Sequence, residues 1–122
     1  MSGGKKRVLI MDDSALVLEM VQIALEGAGF EVLVASDLAE LEQRRGEDVD
    51  LILLDVQMPE AFGDDVGMVL RGVRGTSTPI FLLSDLDEPE LSRRVGSAAV
   101  DGYISKRAGL DALVRRVKDI LA

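Results

Sequence analysis

Acidic, hydroxyl and ammonium side chains follow several of the short apolar segments of this chain. These residues are Asp12, Asp13, Asp55, Ser84 and Lys106. If they converge, the carboxylates repel one another unless a cation neutralises them, and Mg²⁺ prefers such hard oxygen ligands. One carboxylate could then act as a nucleophile toward a phosphoryl group, while the ammonium and the hydroxyl contact the transferred oxygens. This chemistry requires elements that bring the five side chains together.

The apolar segments have the pattern of buried strands. Residues 8–11, 31–35, 50–55, 79–83 and 102–104 are short apolar runs with turn or polar residues at their ends. Runs of this kind are typical of strands that are covered on both faces of a sheet. Each run that carries a candidate residue has it at or just beyond its carboxyl end.

Helical patterns separate the strands. Ser14 opens the first helix, in which Leu16, Met20, Ile23 and Ala24 recur at helical spacing before Gly27 and Gly29 stop it. Weaker patterns predict helices over about residues 38–45 and 64–71 and one beginning near Asp87 and Pro89. A final amphipathic helix is predicted with Leu110, Leu113, Val114, Val117 and Leu121 on its inner side.

Five strands alternating with five helices predict an α/β fold, a doubly wound parallel sheet with helices on both faces. Ligands of such sheets bind at the carboxyl ends of the strands, near the point where the strand order reverses. The candidate residues should therefore meet at one edge.

Composition narrows the function classes. The 122 residues suit a single domain over 1–122, and the net charge of −8 disfavours direct binding to nucleic acid or to an anionic membrane. The absence of cysteine and histidine excludes thiolate chemistry and a Ser-His-Asp triad. The basic residues 5–7 precede an apolar run too short for a signal peptide or a membrane span, so a cytoplasmic location is expected.

Each candidate has a plainer interpretation. Asp13 after a strand could simply cap a helix, Ser84 could serve a turn, Lys106 could be a solvated surface residue, and Tyr103 a half-buried packing residue. These interpretations fail jointly, because chance should not place acids, a hydroxyl and an ammonium at four of five strand ends.

The pattern resembles the receiver domains of two-component response regulators, over essentially the whole chain. The matching residues are Asp12-Asp13, Asp55 followed by Met58-Pro59 and Gly63, Ser84, and Tyr103 three residues before Lys106. The resemblance implies a flavodoxin-like sheet of order 2-1-3-4-5, as in single-domain chemotaxis regulators. It also implies a sensor histidine kinase or phosphotransfer protein as phosphodonor, and a downstream protein or tethered output domain as partner.

The resemblance also implies a role for each residue. Asp55 would be the phosphoacceptor, and Mg²⁺ would be held by Asp12, Asp13, Asp55 and the backbone carbonyl of Gln57. Lys106 and Ser84 would contact the phosphoryl oxygens, and Ser84 and Tyr103 would switch the face formed by the fourth helix, fifth strand and fifth helix. Such a domain catalyses its own phosphotransfer and slow dephosphorylation, and is not an enzyme in the usual sense.

Three positions depart from the family pattern, and one of them, Phe62 in place of a frequent aspartate, should alter only a loop. Asp85 stands where the residue after Ser84 is usually small, and Arg107 replaces the proline that usually follows the lysine. Both could modulate access and charge at the phosphorylation site. Asp85 supports an alternative, a pseudo-receiver that serves as a protein-interaction module without phosphotransfer. A Mg²⁺-dependent phosphohydrolase is disfavoured because no residue is evident to activate water, and a homodimer is left open.

Overall fold

The computed structural model describes residues 5–36, 40, 49–55, 78–84 and 101–122. These ranges contain a single five-stranded parallel sheet with the strand order β2-β1-β3-β4-β5. The strands are β1 (Arg7–Met11), β2 (Glu31–Ala35), β3 (Leu51–Asp55), β4 (Ile80–Ser84) and β5 (Gly102–Ser105). The predicted doubly wound α/β fold and its strand order are confirmed, and the predicted strand ends lie within one residue of the observed ones.

The register of the sheet aligns the carboxyl ends of its strands. Met11 of β1 pairs with Leu54 of β3, so Asp12 follows β1 at the level where Asp55 ends β3. On the other side of β3, Asp55 pairs with Leu83 of β4. Consecutive parallel strands therefore deliver their terminal residues to one edge, as expected for a sheet of this type.

The two faces of the sheet are both buried. Side chains on a strand alternate between the faces, and in β3 every residue from Leu51 to Asp55 is buried. One face packs against the helices described below through a shared core that includes Val8, Ile10, Leu51, Leu53, Leu83 and Ile104. The opposite face carries Leu9, Met11, Ile52, Leu54, Ile80 and Leu82, which are equally buried. Burial on both faces explains why these strands are continuous apolar runs.

The first helix, α1 (Ala15–Gly27), begins after Ser14, whose hydroxyl accepts a hydrogen bond from the Val17 N–H at 3.2 Å. The chain leaves the helix through Gly29, whose φ of 99° lies in the region that glycine tolerates best. The helix predicted from this segment is confirmed.

The buried face of α1 is formed by Leu18, Val21 and Leu25. The apolar stripe that indicated the helix lies elsewhere, because Leu16, Met20 and Ile23 are exposed by 64%, 44% and 64%. The helix has apolar residues on more than one side, so periodicity predicted its existence without identifying the side that faces the sheet.

A second described helix, α2 (Leu110–Ile120), follows a 3₁₀ turn at Lys106–Ala108 and packs beside α1. Leu113 and Val117 are buried, while Leu110, Val114 and Leu121 are partly buried against the same core. The predicted inner side of this helix is confirmed.

Three predicted helices fall largely outside the described residues. Of the segment over 38–45 only Glu40 is described, and it is helical. The segments over 64–71 and after Asp87 lie wholly outside. Within the ranges that the structure covers, no helix is long and apolar enough to cross a membrane.

Candidate phosphoacceptor and metal site

Three carboxylates meet at the carboxyl edge of the sheet. Asp12 and Asp13 follow β1, Asp55 ends β3, and one oxygen from each lies within 4.8 Å of the others. Asp12 and Asp55 are buried, with exposed fractions of 1% and 6%, whereas Asp13 is exposed. The predicted convergence of these acids is thus present, and its solvent side is formed by Asp13.

Lys106 brings a positive charge to the same cluster. The 3₁₀ turn after β5 places its ammonium nitrogen 2.7 Å from Oδ2 of Asp12 and 3.9 Å from Oδ1 of Asp55. The shorter contact is a charge-assisted hydrogen bond, and the longer one is an ion pair. Lys106 therefore lies between the first and third strand ends and is bound more closely to Asp12.

Asp12 is held by three separate elements. Its backbone N–H donates to the Ala35 carbonyl at the end of β2, at 3.2 Å. Oδ1 of its side chain accepts the Ser14 N–H at 2.9 Å, and Oδ2 accepts the Lys106 ammonium. Both carboxylate oxygens thus have donors, as a buried charge requires.

Asp13 differs sharply from its neighbour. Successive residues at a strand end point to opposite sides, and the Asp13 side chain faces solvent. Its interpretation as a helix cap is wrong, since Ser14 is the N-cap residue of α1. Across the ranges described, nothing donates a hydrogen bond to its carboxylate, which can adapt to an incoming ligand.

The charge balance of this cluster fits a divalent cation. Asp12, Asp13 and Asp55 bring three negative charges, and Lys106 is the single described cation that contacts them. Counting only the described residues, a formal charge of about −2 is left among hard oxygen atoms, and Asp13 is exposed to solvent, which suits Mg²⁺ with some of its waters retained. The residues present therefore fit the ion that the sequence predicted.

The structure describes only some of the remaining candidate residues. Ser84 ends β4 and pairs with Ser105, so its position at the same edge agrees with the prediction. Tyr103 of β5 is half-buried, and Arg107 in the 3₁₀ turn is exposed. Gln57 and Asp85 lie outside the described residues.

Sequence reasoning missed two features of this site. The close pairing of Lys106 with Asp12 has no signal in the sequence, because it depends on where the turn after β5 places the ammonium. The bond from the Ser14 N–H to Asp12 does have one, since an aspartate commonly accepts from the backbone two residues onward.

Comparison with known proteins agrees with this geometry. The chain is 35% identical over 118 residues to the alkaline phosphatase synthesis transcriptional regulatory protein PhoP of Bacillus subtilis, covering 95% of this chain and 48% of PhoP. The structure of a putative response regulator from Chloroflexus aurantiacus matches with a TM-score of 0.85 and 31% identity, over 97% of this chain and 98% of that one. The chemotaxis protein CheY4 of Vibrio cholerae matches with a TM-score of 0.84 and 28% identity, over 96% and 99%.

The chain spans about half the length of the curated relatives it matches, such as PhoP and the cell cycle regulator CtrA of Caulobacter vibrioides. The family described as "Response regulator receiver domain" matches residues 8–118. This range contains all five strands apart from Arg7, the first residue of β1. The chain belongs to the response regulator receiver domain family of two-component signalling.

Proposed function

We propose that this receiver domain is a Mg²⁺-dependent phosphorylation switch with Asp55 as its phosphoacceptor. Asp12, Asp13, Asp55 and the backbone carbonyl of Gln57 would hold the cation. Lys106 and Ser84 would contact the phosphoryl oxygens. The observation that carries this proposal is the cluster of three carboxylate oxygens within 4.8 Å of one another, with Lys106 beside it.

Asp55 is the best placed nucleophile of the three acids. Both oxygens of Asp12 already accept hydrogen bonds, and Asp13 lies on the outer, solvent side. Asp55 sits on the central strand of the sheet with Lys106 3.9 Å from one oxygen, close enough to neutralise a phosphoryl group attached there. When bound, Mg²⁺ supplies further charge neutralisation for the same oxygens.

The group transfer proposed here balances without any additional reactant. A carboxylate oxygen of Asp55 forms a bond to phosphorus, and the bond from phosphorus to the donor breaks. With a phosphohistidine donor the leaving group is the imidazole, and with acetyl phosphate it is acetate. The product is an acyl phosphate on Asp55, which water then hydrolyses slowly.

Tyr103 is the proposed reporter of the switch. It lies with Arg116 on a cavity of about 300 Å³ between β5 and α2, and we propose that its ring changes rotamer at this cavity. A change at Ser84 would reach this region directly, because Leu82 and Leu83 of β4 pair with Tyr103 and Ile104 of β5. Phosphorylation would thus alter the surface that β5 and α2 present to a partner.

The proposed partners follow from the family. One relative, 28% identical over 93% of this chain, is named as the autoinducer sensor kinase/phosphatase CqsS of Vibrio cholerae, and others are named as transcriptional regulators. We propose a sensor histidine kinase or phosphotransfer protein as donor and a downstream protein or attached output domain as receiver of the signal. Direct nucleic-acid binding by this domain is disfavoured by its net charge of −8.

Incubation with acetyl phosphate and Mg²⁺, followed by intact-mass measurement, tests the proposal. We expect the mass of one phosphoryl group to be added, and we expect no addition after chelation of Mg²⁺ or in Asp55→Asn. Tyr103 is the sole tyrosine and there is no tryptophan, so near-ultraviolet circular dichroism can follow the switch almost without background. Phosphorylation of Asp55→Asn at the wild-type rate would exclude Asp55 as the acceptor.

Intact mass and a phosphate-release assay together separate the alternatives. A pseudo-receiver would bind Mg²⁺ or remain metal-free without gaining mass, and a phosphohydrolase would turn over unrelated phosphomonoesters. We also propose that Asp85 and Arg107 modulate access and charge at the site. Asp85→Ala should then be phosphorylated several-fold faster than wild type at low salt, with the difference shrinking as salt screens the repulsion.

A further inference from the structure

Ser14 links the candidate metal site to the first turn of α1. Its N–H donates to Oδ1 of Asp12 at 2.9 Å, and its hydroxyl accepts the Val17 N–H at 3.2 Å. Its carbonyl accepts the N–H of Leu18, a buried core residue, at 3.0 Å. Ser14 therefore binds Asp12 through its N–H and the first turn of α1 through its hydroxyl oxygen and its carbonyl.

The backbone of Ser14 suits this bridging position. With φ of −93° and ψ of 113° it is extended, whereas Ala15 begins the helix. An extended N-cap residue turns its N–H away from the helix axis, so this donor is left for a group outside the helix. Here that group is the carboxylate of Asp12.

The bond to Ser14 decides how the two oxygens of Asp12 are used. Oδ1 is engaged by the amide, which leaves Oδ2 to accept from the Lys106 ammonium beside Asp55. Asp13, the exposed residue between Asp12 and Ser14, has no comparable restraint in the part of the chain that is described. One acid of the pair is thus fixed in orientation and the other is adaptable.

We propose that Ser14 is a positioning residue whose backbone N–H orients Asp12 for the divalent cation. Donors that orient a metal ligand commonly change metal affinity when they are removed. The inference rests on the proposed function only in taking Asp12 as a metal ligand. It adds that the N-cap residue of α1 orients one ligand of the metal site.

Two substitutions separate the amide of Ser14 from its hydroxyl. Ser14→Ala removes the helix cap and keeps the N–H, whereas Ser14→Pro removes both and keeps the carbonyl that accepts from Leu18. The extended φ of −93° is near enough to the proline range for this change to be attempted. Ser14→Thr retains both groups and serves as the conservative variant.

Isothermal titration with MgCl₂ at constant ionic strength gives the dissociation constant for each variant. We expect Ser14→Ala and Ser14→Thr to bind within about twofold of wild type and Ser14→Pro to bind about tenfold more weakly or worse, the usual range for an orienting donor. Equal affinity of Ser14→Pro and wild type would overturn the inference. So would a loss in Ser14→Ala as large as that in Ser14→Pro, because the hydroxyl would then be responsible.

Amide hydrogen exchange tests the bond without any metal and does not require Ser14→Pro to fold. The Ser14 amide should be protected in the wild type and should exchange faster in Asp12→Ala, while protection of the Val17 amide is retained. Equal exchange of the Ser14 amide in both proteins would also overturn the inference. If the wild type itself binds no Mg²⁺, the proposed function fails, and this exchange result still decides whether the Ser14 amide is bonded to Asp12.

Discussion

At the scale of single residues, the site is built on an unequal pair of neighbouring acids. Asp12 is buried and accepts donors at both oxygens, while Asp13 is exposed. The sequence predicted both as ligands but could not distinguish them, because the direction of each side chain depends on how the chain leaves β1. Their distinct environments predict distinct consequences of neutralising each one.

Asp12→Asn should destabilise the metal-free protein, whereas Asp13→Asn should leave its stability unchanged or raise it slightly. In Asp12→Asn the new amide nitrogen would face either the Lys106 ammonium or the Ser14 N–H, donor against donor, and a lost hydrogen bond of this kind costs about 1–3 kcal/mol. Removing the exposed charge of Asp13 only relieves repulsion within the cluster. Urea denaturation in chelator-treated buffer gives both values, and a larger loss for Asp13→Asn than for Asp12→Asn would contradict this assignment.

Lys106 is the metal-free counter-ion of the cluster, so its removal should have opposite effects on stability and metal binding. Lys106→Gln should lower the metal-free stability by about 1.5–3 kcal/mol, because buried Asp12 loses a charged donor. The same variant should bind Mg²⁺ more tightly, by about tenfold for each 1.4 kcal/mol of competition that is removed. Phosphorylation by acetyl phosphate should nevertheless become slower, since the ammonium no longer neutralises the phosphoryl oxygens.

A matched control makes the same change in charge at the amino end of β1, away from the cluster. Lys6 precedes β1 and is exposed, far along the strand from Asp12. Lys6→Gln should change the Mg²⁺ dissociation constant by less than about twofold at moderate ionic strength, because salt screens a charge at that distance. Weaker Mg²⁺ binding by Lys106→Gln than by wild type would show that the Lys106 ammonium does not compete with Mg²⁺ for the carboxylates.

At the scale of elements, the strands were predictable and the orientation of α1 was not. The inner strands β1, β3 and β4 are continuous apolar runs because both faces of the sheet are buried there, and polar residues mark their carboxyl ends. In α1, the exposed set Leu16, Met20 and Ile23 and the buried set Leu18, Val21 and Leu25 both recur at helical spacing. Which of the two apolar stripes is buried depends on how the helix packs against the sheet.

The contact between β4 and β5 beside Tyr103 predicts a strong effect of one added methyl group. A Cβ atom at Gly102 would lie 2.7 Å from Cε2 of Phe81, a buried ring that also carries the Arg116 guanidinium 5.4 Å from its centroid. Gly102→Ala should therefore lower the free energy of unfolding by about 1–3 kcal/mol through overpacking. Gly27→Ala is the matched control, because nothing lies within 4 Å of the added carbon there and the change should be neutral or stabilising.

A double-mutant cycle with Phe81→Leu tests the cause of this loss. If the clash with the Phe81 ring is responsible, Gly102→Ala should cost less in the Phe81→Leu protein than in the wild type. Chemical denaturation of the four proteins gives the coupling energy. Additive losses would show that the cost arises from the backbone of β5 and not from the ring.

At the scale of the whole molecule, the net charge of −8 and the acidic cluster both destabilise the folded state when no cation is bound. Self-repulsion disfavours the compact state, and any added salt partly relieves it. A specific cation site contributes in addition, because a ligand that binds the folded state alone stabilises it by mass action. The two effects can be separated, since the first depends on ionic strength and the second on the identity of the ion and on three particular carboxylates.

Thermal unfolding at constant ionic strength should therefore show a stabilisation specific to Mg²⁺. Replacing NaCl by MgCl₂ at about 100 times the dissociation constant should stabilise the wild type by about 2.7 kcal/mol. A protein carrying Asp12→Asn and Asp13→Asn keeps most of the net charge and hence the general response to salt, but it should lose this specific gain. Since the folded state gathers the three oxygens within 4.8 Å and the unfolded chain does not, the gain measures preorganisation of the site. An equal shift in the wild type and in the doubly substituted protein would mean that Mg²⁺ acts only by screening the acidic surface.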